Sequence, residues 1–234
     1  MGIFQNTVFF DTIAQLEKLP LEVIAEVAFA GRSNAGKSSA INALANHTRL
    51  AFTSKMPGRT QHLNFFRVAD EKYFVDLPGY GFAKAPGEVR EAWEGLLAPY
   101  LRERVPLAGL VIIMDIRHPM TELDLQMINW FAVTQKPIHI LLSKADKCSR
   151  NEQAQALFAV KKALADLGDQ CSAQVFSSTH RLGIAEAEET IAGWLAMPWE
   201  PEKTPPAKPR TEKTARIKNR KAKGFSARTA AKKG

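Results

Sequence analysis

Gly31-Arg32-Ser33-Asn34-Ala35-Gly36-Lys37-Ser38, preceded by the apolar run Val27-Ala28-Phe29-Ala30, decides the fold of this chain. The eight residues fill every position of G-x-x-x-x-G-K-[ST]. They stand between a strand-like run and a helical pattern (Lys37–Asn46), the setting that gives this spacing its meaning. Gly31 and Gly36 let the backbone curl so that its N–H groups converge, and the helix N-terminus adds its dipole for an anion. Lys37 would then bridge β- and γ-phosphate oxygens, and the Ser38 hydroxyl would ligate Mg²⁺. Arg32, Ser33, Asn34, Ala35 and Ser39 complete this nucleotide-phosphate loop. A chance match somewhere in a chain of this length is on the order of one in a hundred.

Outward from the loop, short apolar runs alternate with helical patterns. Strands are predicted at Val23–Ala30, His62–Val68, Lys72–Asp76, Gly109–Asp115, Ile138–Ser143 and Gln174–Ser177. Helices are predicted at Lys37–Asn46, Glu88–Glu103, Thr121–Thr134, Asn151–Leu167 and Ile184–Met197. Runs such as LVIIMD and IHILLS are apolar throughout, as in strands covered on both faces. Thr121-Glu122-Leu123-Asp124 has the form of a capping box with Asp in place of Glu. The fold class is α/β: a mostly parallel six-stranded sheet with helices on both faces, the second and third strands forming an antiparallel hairpin around Asp70. The first 21 residues read as an extension packing on this domain, its strand edge being the natural place.

Three further motifs fall at strand ends. Asp76-Leu77-Pro78-Gly79 fits D-x-x-G: Asp76 would hold Mg²⁺ through water, and the Gly79 N–H would contact the γ-phosphate. Ser143-Lys144-Ala145-Asp146 resembles [NT]-K-x-D. Its Asp146 carboxylate can accept from guanine N1–H and the 2-amino group together, which adenine cannot match. Lys144 would pack its stem over the base. Ser143 replaces the usual Thr or Asn but keeps a hydroxyl. Ser177-Ser178, with Phe176 before them, sit where a backbone N–H would meet guanine O6. Thr60, in Pro57-Gly58-Arg59-Thr60, is the candidate for a second hydroxyl on Mg²⁺, with Gly58 and Arg59 beside the nucleotide. Lys37, Thr60 and Gly79 form the catalytic set. Together these residues describe a P-loop NTPase of the small-GTPase type that binds GTP and GDP with Mg²⁺.

Charge is unevenly spread. The chain carries a net +8, yet Lys208–Gly234 holds 11 Lys/Arg against Glu212 alone, leaving 21 basic and 23 acidic residues in the rest. The basic excess therefore belongs to the end of the chain and speaks of partners rather than of fold. Five prolines between Met197 and Pro209 read as an extended linker. The tail beyond has only Ile217 and Phe225 as large apolar residues, too few to offset ordering entropy, so it is predicted to be disordered. The domain reading is thus an extension (1–21), a nucleotide-binding domain (22–200), and a linker with a basic tail (201–234). Such a tail suits phosphate-rich RNA, with little sequence readout. Two cysteines, neither in a CxxC pair, and five scattered histidines suggest neither disulfide framework nor zinc site. With no apolar stretch long enough to span a bilayer and no signal-peptide pattern, a cytoplasmic location is expected.

With GRSNAGKSS (31–39), PGRTQ (57–61), DLPGYGFA (76–83) and SKADK (143–147) in this order and spacing, the chain resembles the EngB family (also called YihA or YsxC) of TrmE–Era–EngA-like bacterial GTPases. The resemblance covers roughly residues 5–200. It implies a GTP-dependent role in assembly of the large ribosomal subunit and, through ribosome supply, in cell division and septation. It implies the large subunit and its rRNA as partners, no membrane anchor and a monomer. Where many GTPases place the Gln that orients water after D-x-x-G, this chain has Tyr80, so intrinsic turnover should be slow. Asn34 stands where some relatives hold K⁺ beside the phosphates. A bound K⁺ stabilising the developing charge and an Asn that merely braces the loop are its two readings. Phe82 and Lys84 are placed to touch RNA. The rival for the whole chain is an RNA-binding scaffold that uses nucleotide state with negligible hydrolysis. An ATP-dependent small-molecule kinase is disfavoured by SKAD.

Overall fold

The computed structural model describes residues 2–51, 62–80 and 93–199, all within the unit Met1–Pro201. The expected first part of the helix at 88–92 and the whole tail from 201 lie outside the described residues.

Seven strands form one sheet among the described residues: β1 (Val8–Ile13), β2 (Ala25–Gly31), β3 (Leu63–Ala69), β4 (Lys72–Asp76), β5 (Leu107–Asp115), β6 (Ile138–Ser143) and β7 (Cys171–Val175). Their order is β1-β3-β4-β2-β5-β6-β7. Pairings from β4 through β2, β5 and β6 to β7 are parallel, while β3 runs against both β4 and β1. The expected count of six is corrected to seven because β1, in the N-terminal extension, adds itself to the free edge of β3. Only Ile13 of its six residues is buried, so its sequence carries no alternation by which to recognise it. The last strand also lies earlier than expected, because its register against β6 begins at Cys171 opposite Ile138 and ends at Val175 opposite Leu142.

The helices are α1 (Lys37–Leu44), α2 (Ala98–Glu103), α3 (Glu122–Ala132), α4 (Arg150–Ala163) and α5 (Ile184–Trp194), with a π-helical turn (Trp93–Leu97) running into α2. Alternation along β2 sorts them. Val27 and Phe29 face a core containing Ile41 and Leu44 of α1 and Ala187 and Ile191 of α5. Ala28 and Ala30 face the other core, with Tyr100 of α2, Met127, Ile128 and Phe131 of α3, and Val160 of α4. Phe4 closes the first core edge-on to Phe74, at a centroid distance of 4.7 Å. Each fully buried Phe contributes about 2–3 kcal/mol.

At the N-terminal end of β2, Glu26 is fully buried but accepts from Arg104 Nε at 3.0 Å, and Arg104 Nη2 also donates to Pro20 O at 2.8 Å. That pairing pins the end of the sheet away from the motifs. The motifs among the described residues sit at the opposite end, where the parallel strands finish together, the usual place for a ligand in such sheets.

Candidate nucleotide site

The phosphate loop leaves β2 at Gly31, where a Cβ would lie 2.9 Å from Ile113 O of the neighbouring strand, so only glycine permits this approach. Ala35 N–H donates to Arg32 O at 3.0 Å, closing the turn, and Gly36 (φ +103°) leads into α1 in the left-handed region. The first N–H groups of α1 have no helical acceptor, and with the helix dipole they make an anion seat. Lys37 Nζ donates to Asp76 Oδ1, so the cation expected at phosphate and the carboxylate expected at a metal are neighbours. Ser38, next along α1, adds a hydroxyl; Asp76 is 6% exposed at the end of β4. Hard oxygen donors of this kind suit Mg²⁺.

The D-x-x-G segment runs beside this loop. Leu77 N–H donates to Phe29 O at 3.0 Å and Tyr80 N–H to Gly31 O at 3.3 Å. Between them, half-buried Pro78 and Gly79 pass so close that a Cβ on Gly79 would be 3.7 Å from Ser33 N. Gly58, Arg59 and Thr60 lie outside the described residues.

At the base end, β6 delivers Ser143 opposite Asp115 of β5. The Ser143 hydroxyl lies 2.5 Å from Ala35 O and 3.0 Å from Met114 O, linking this strand end to the phosphate loop. Lys144 (φ +59°) sends its ammonium to Asn34 O at 2.7 Å and to Asp115 Oδ2 at 3.0 Å. Asp115 also accepts from Arg117 Nε at 2.9 Å and Nη2 at 2.6 Å. These bonds, Arg117 first and Lys144 after it, hold its carboxyl well below the usual carboxylate range. Asp146 Oδ1 accepts the Ser177 hydroxyl at 2.6 Å, the main cause of its lowered pKa, and Lys147 Nζ stands 3.3 Å from Oδ2. Ala145 N–H donates to Phe176 O at 3.1 Å, and half-buried Ser178 follows in the same turn.

The described members of the expected site thus gather along one edge, from Gly31 through Asp76 to Asp146 and Ser177. Ser177 offers its side chain to Asp146, beyond the backbone role expected of it. Sequence reasoning missed Asp115 and Arg117. The available signal was an Asp ending the apolar run LVIIMD just as Asp76 ends its own strand. Arg32 turns its side chain toward α3, placing Nε 3.6 Å from Asp124 Oδ2, which leaves its backbone for the loop.

The family model described as "50S ribosome-binding GTPase" matches residues 26–144. The probable GTP-binding protein EngB of Dechloromonas aromatica is 60% identical over 197 residues, covering 83% of this chain and 90% of that protein. The probable GTP-binding protein EngB of Neisseria meningitidis is 55% identical over 197 residues, covering 83% and 94%. Among solved structures, a probable GTP-binding protein engB superposes with a TM-score of 0.59 at 20% identity, over 74% of this chain and 99% of that one. Era in complex with MgGDPNP and nucleotides 1506-1542 of 16S ribosomal RNA gives a TM-score of 0.58 at 20% identity, over 77% and 59%. At these identities the two structures speak for the fold alone. The GTPase pattern over residues 26–144 and the extended identity to curated relatives together settle the family: this chain belongs to the EngB family of GTP-binding proteins and is a GTPase.

Proposed function

We propose that this protein is a GTP-dependent switch that assists assembly of the large ribosomal subunit, as a cytoplasmic monomer. Normal cell division and septation depend on it through ribosome supply. The observation that carries this reading is the convergence of the phosphate loop, Asp76 and the Lys144–Asp146 turn on one edge of the sheet. The family description, "50S ribosome-binding GTPase", supports the subunit as partner. The rRNA fragment bound by the structurally similar Era supports RNA as its chemistry. The basic segment Lys208–Gly234 supplies the charge to hold phosphates.

In this reading the N–H groups from Ser33 to Ser38 and the Lys37 ammonium hold the β- and γ-phosphates. Ser38, Asp76 (through water) and Thr60 would hold Mg²⁺, which would supply charge neutralisation for the β- and γ-phosphates. Gly79 reports the γ-phosphate, and Asp146, steadied by Ser177, selects guanine. Tyr80 supports slow intrinsic hydrolysis, since its hydroxyl is committed to Asp124 at 2.7 Å rather than to a water. Asn34 adopts φ +63°, a conformation Asn tolerates, which suits either of its two readings. Turnover faster in K⁺ than in Na⁺ buffer would select K⁺, and equal turnover the bracing role.

The test is co-sedimentation with purified large subunits, the protein carrying a non-hydrolysable GTP analogue or GDP. Pelleting with the analogue and release with GDP are expected. Equal pelleting in both would sever nucleotide from ribosome. Deleting Lys208–Gly234 should weaken pelleting and flatten its salt dependence. The Tyr80–Asp124 bond also keeps the scaffold alternative open, and single-turnover hydrolysis with and without subunits separates the two readings.

A further inference from the structure

Tyr80 follows Gly79 directly and is held at both ends. Its N–H donates to Gly31 O, its backbone bridges in parallel to Arg32, and its ring is buried in the core. Its hydroxyl donates to Asp124 Oδ1 at 2.7 Å. Asp124 is fully buried in the first turn of α3, where Oδ2 accepts from the Thr121 N–H at 2.9 Å and from the Thr121 hydroxyl at 2.8 Å. Arg32 approaches the same carboxylate, with Nε at 3.6 Å, and anchors itself by donating from Nη2 to His118 O at 3.2 Å. A buried carboxylate is tolerated only when its oxygens are satisfied. Here the hydrogen bonds that satisfy it come from Tyr80, just after D-x-x-G, and from the cap of α3, with the Arg32 charge of the phosphate loop close by. Burial, and after it the Asp124 charge, hold the Tyr80 phenol far above its ordinary value, so it remains a donor at any working pH.

We propose that Asp124 is a positioning residue of the switch: by fixing the Tyr80 hydroxyl it keeps the Gly79 segment seated beside Ser33 and ties the start of α3 to the nucleotide bound. This rests on Gly79 being the γ-phosphate contact. Because the latch forms with Gly79 seated, it favours a ligand that engages Gly79 over one that does not. Only such a differential affinity can shift the equilibrium. The N-terminal turn of α3 thereby becomes a second place where nucleotide state is felt, on the opposite face of the sheet from α1.

The experiment compares full-length wild type with Tyr80→Phe, Thr121→Val and Lys37→Ala, titrating a non-hydrolysable GTP analogue and GDP by calorimetry and recording thermal midpoints. Tyr80→Phe removes one hydroxyl and leaves the ring in place. Its affinity for the analogue should fall on the order of tenfold, the scale of one hydrogen bond to a charged group, with GDP changed by less than about twofold. Thr121→Val strips Asp124 of a different partner, so it should lower the thermal midpoint while keeping the ratio of the two affinities. The proposal is overturned if Tyr80→Phe keeps that ratio, or if Thr121→Val shifts it as far. Lys37→Ala separates the two readings. Binding of the analogue at wild-type strength would remove the nucleotide site and the latch with it. Loss of binding there, with an unchanged ratio in Tyr80→Phe, would remove the latch alone.

Discussion

Asp115 and Lys144 form an ion pair, Nζ to Oδ2 at 3.0 Å, that fastens the turn after β6 to the end of the neighbouring strand. The same ammonium donates to Asn34 O, so one lysine joins the phosphate loop, β5 and the turn after β6.

Replacing Asp115 with Asn keeps the shape and removes the charge that orients both Lys144 and Arg117. GTP and GDP should both bind roughly tenfold more weakly, since no contact here distinguishes them. Arg117 is about half exposed, so solvent screening should keep the accompanying loss of stability small. The sign with pH follows from the depressed folded pKa of Asp115. Its stabilising contribution is complete above the ordinary aspartate value of about 4 and is lost progressively as pH falls below that toward the depressed folded value. Acid unfolding below about pH 4 should therefore be shallower in the Asn variant than in wild type.

Ser143→Ala deletes a hydroxyl that lies 2.5 Å from Ala35 O of the phosphate loop. A loss of about 1 kcal/mol in thermal unfolding is expected, with weaker binding of both nucleotides. Ser143→Thr, which keeps the hydroxyl, should bind as wild type. If Thr behaves like Ala, the contact does not matter for binding.

Asp146→Asn turns an acceptor for two donors into one donor and one acceptor. Affinity for guanine nucleotides should drop on the order of a hundredfold, while xanthine nucleotides, which present the complementary pattern, should gain. Competition titrations with the two bases check this, and unchanged guanine preference would place the base elsewhere.

His139 offers a pH test remote from the nucleotide. It is buried in β6, its ring nitrogens 2.7 Å from Ser172 Oγ and 2.8 Å from Gln174 Oε1, and burial pushes its pKa below the ordinary value. A histidine kept neutral by folding contributes stability that is complete above the unfolded pKa of about 6.5 and is lost as pH falls toward the folded one. The thermal midpoint of wild type should thus decline between pH 7 and 5 more than that of His139→Gln.

The site was legible because its chemistry is written in short contiguous words. Residues 31–38, 76–79 and 143–146 each carry both a chemical group and the backbone that aims it. What stayed hidden needs two distant segments at once. Asp115 gains its role only when β5 and β6 lie in register, with Asp115 opposite Ser143. Asp124 was readable as a helix cap, yet nothing local announces that Tyr80, 44 positions earlier, will bond to it. The central strands were clear because both their faces are covered, which makes them continuous apolar runs. β1 was not, since a strand with one neighbour and five exposed residues has no need of a pattern.

That same outer strand has a consequence for many copies of the chain together. Val8, Phe9 and Phe10 are each about half exposed at the rim of the sheet, an invitation for a stranger's strand to zip on. Yet the pairing of β1 with β3 slips between Phe9 and Asp11, so the rim is kinked midway, and a carboxylate stands just past the kink. A growing fibril needs a straight, uncharged template; this rim offers three sticky residues and then breaks step, which guards freshly made protein against sticking to itself.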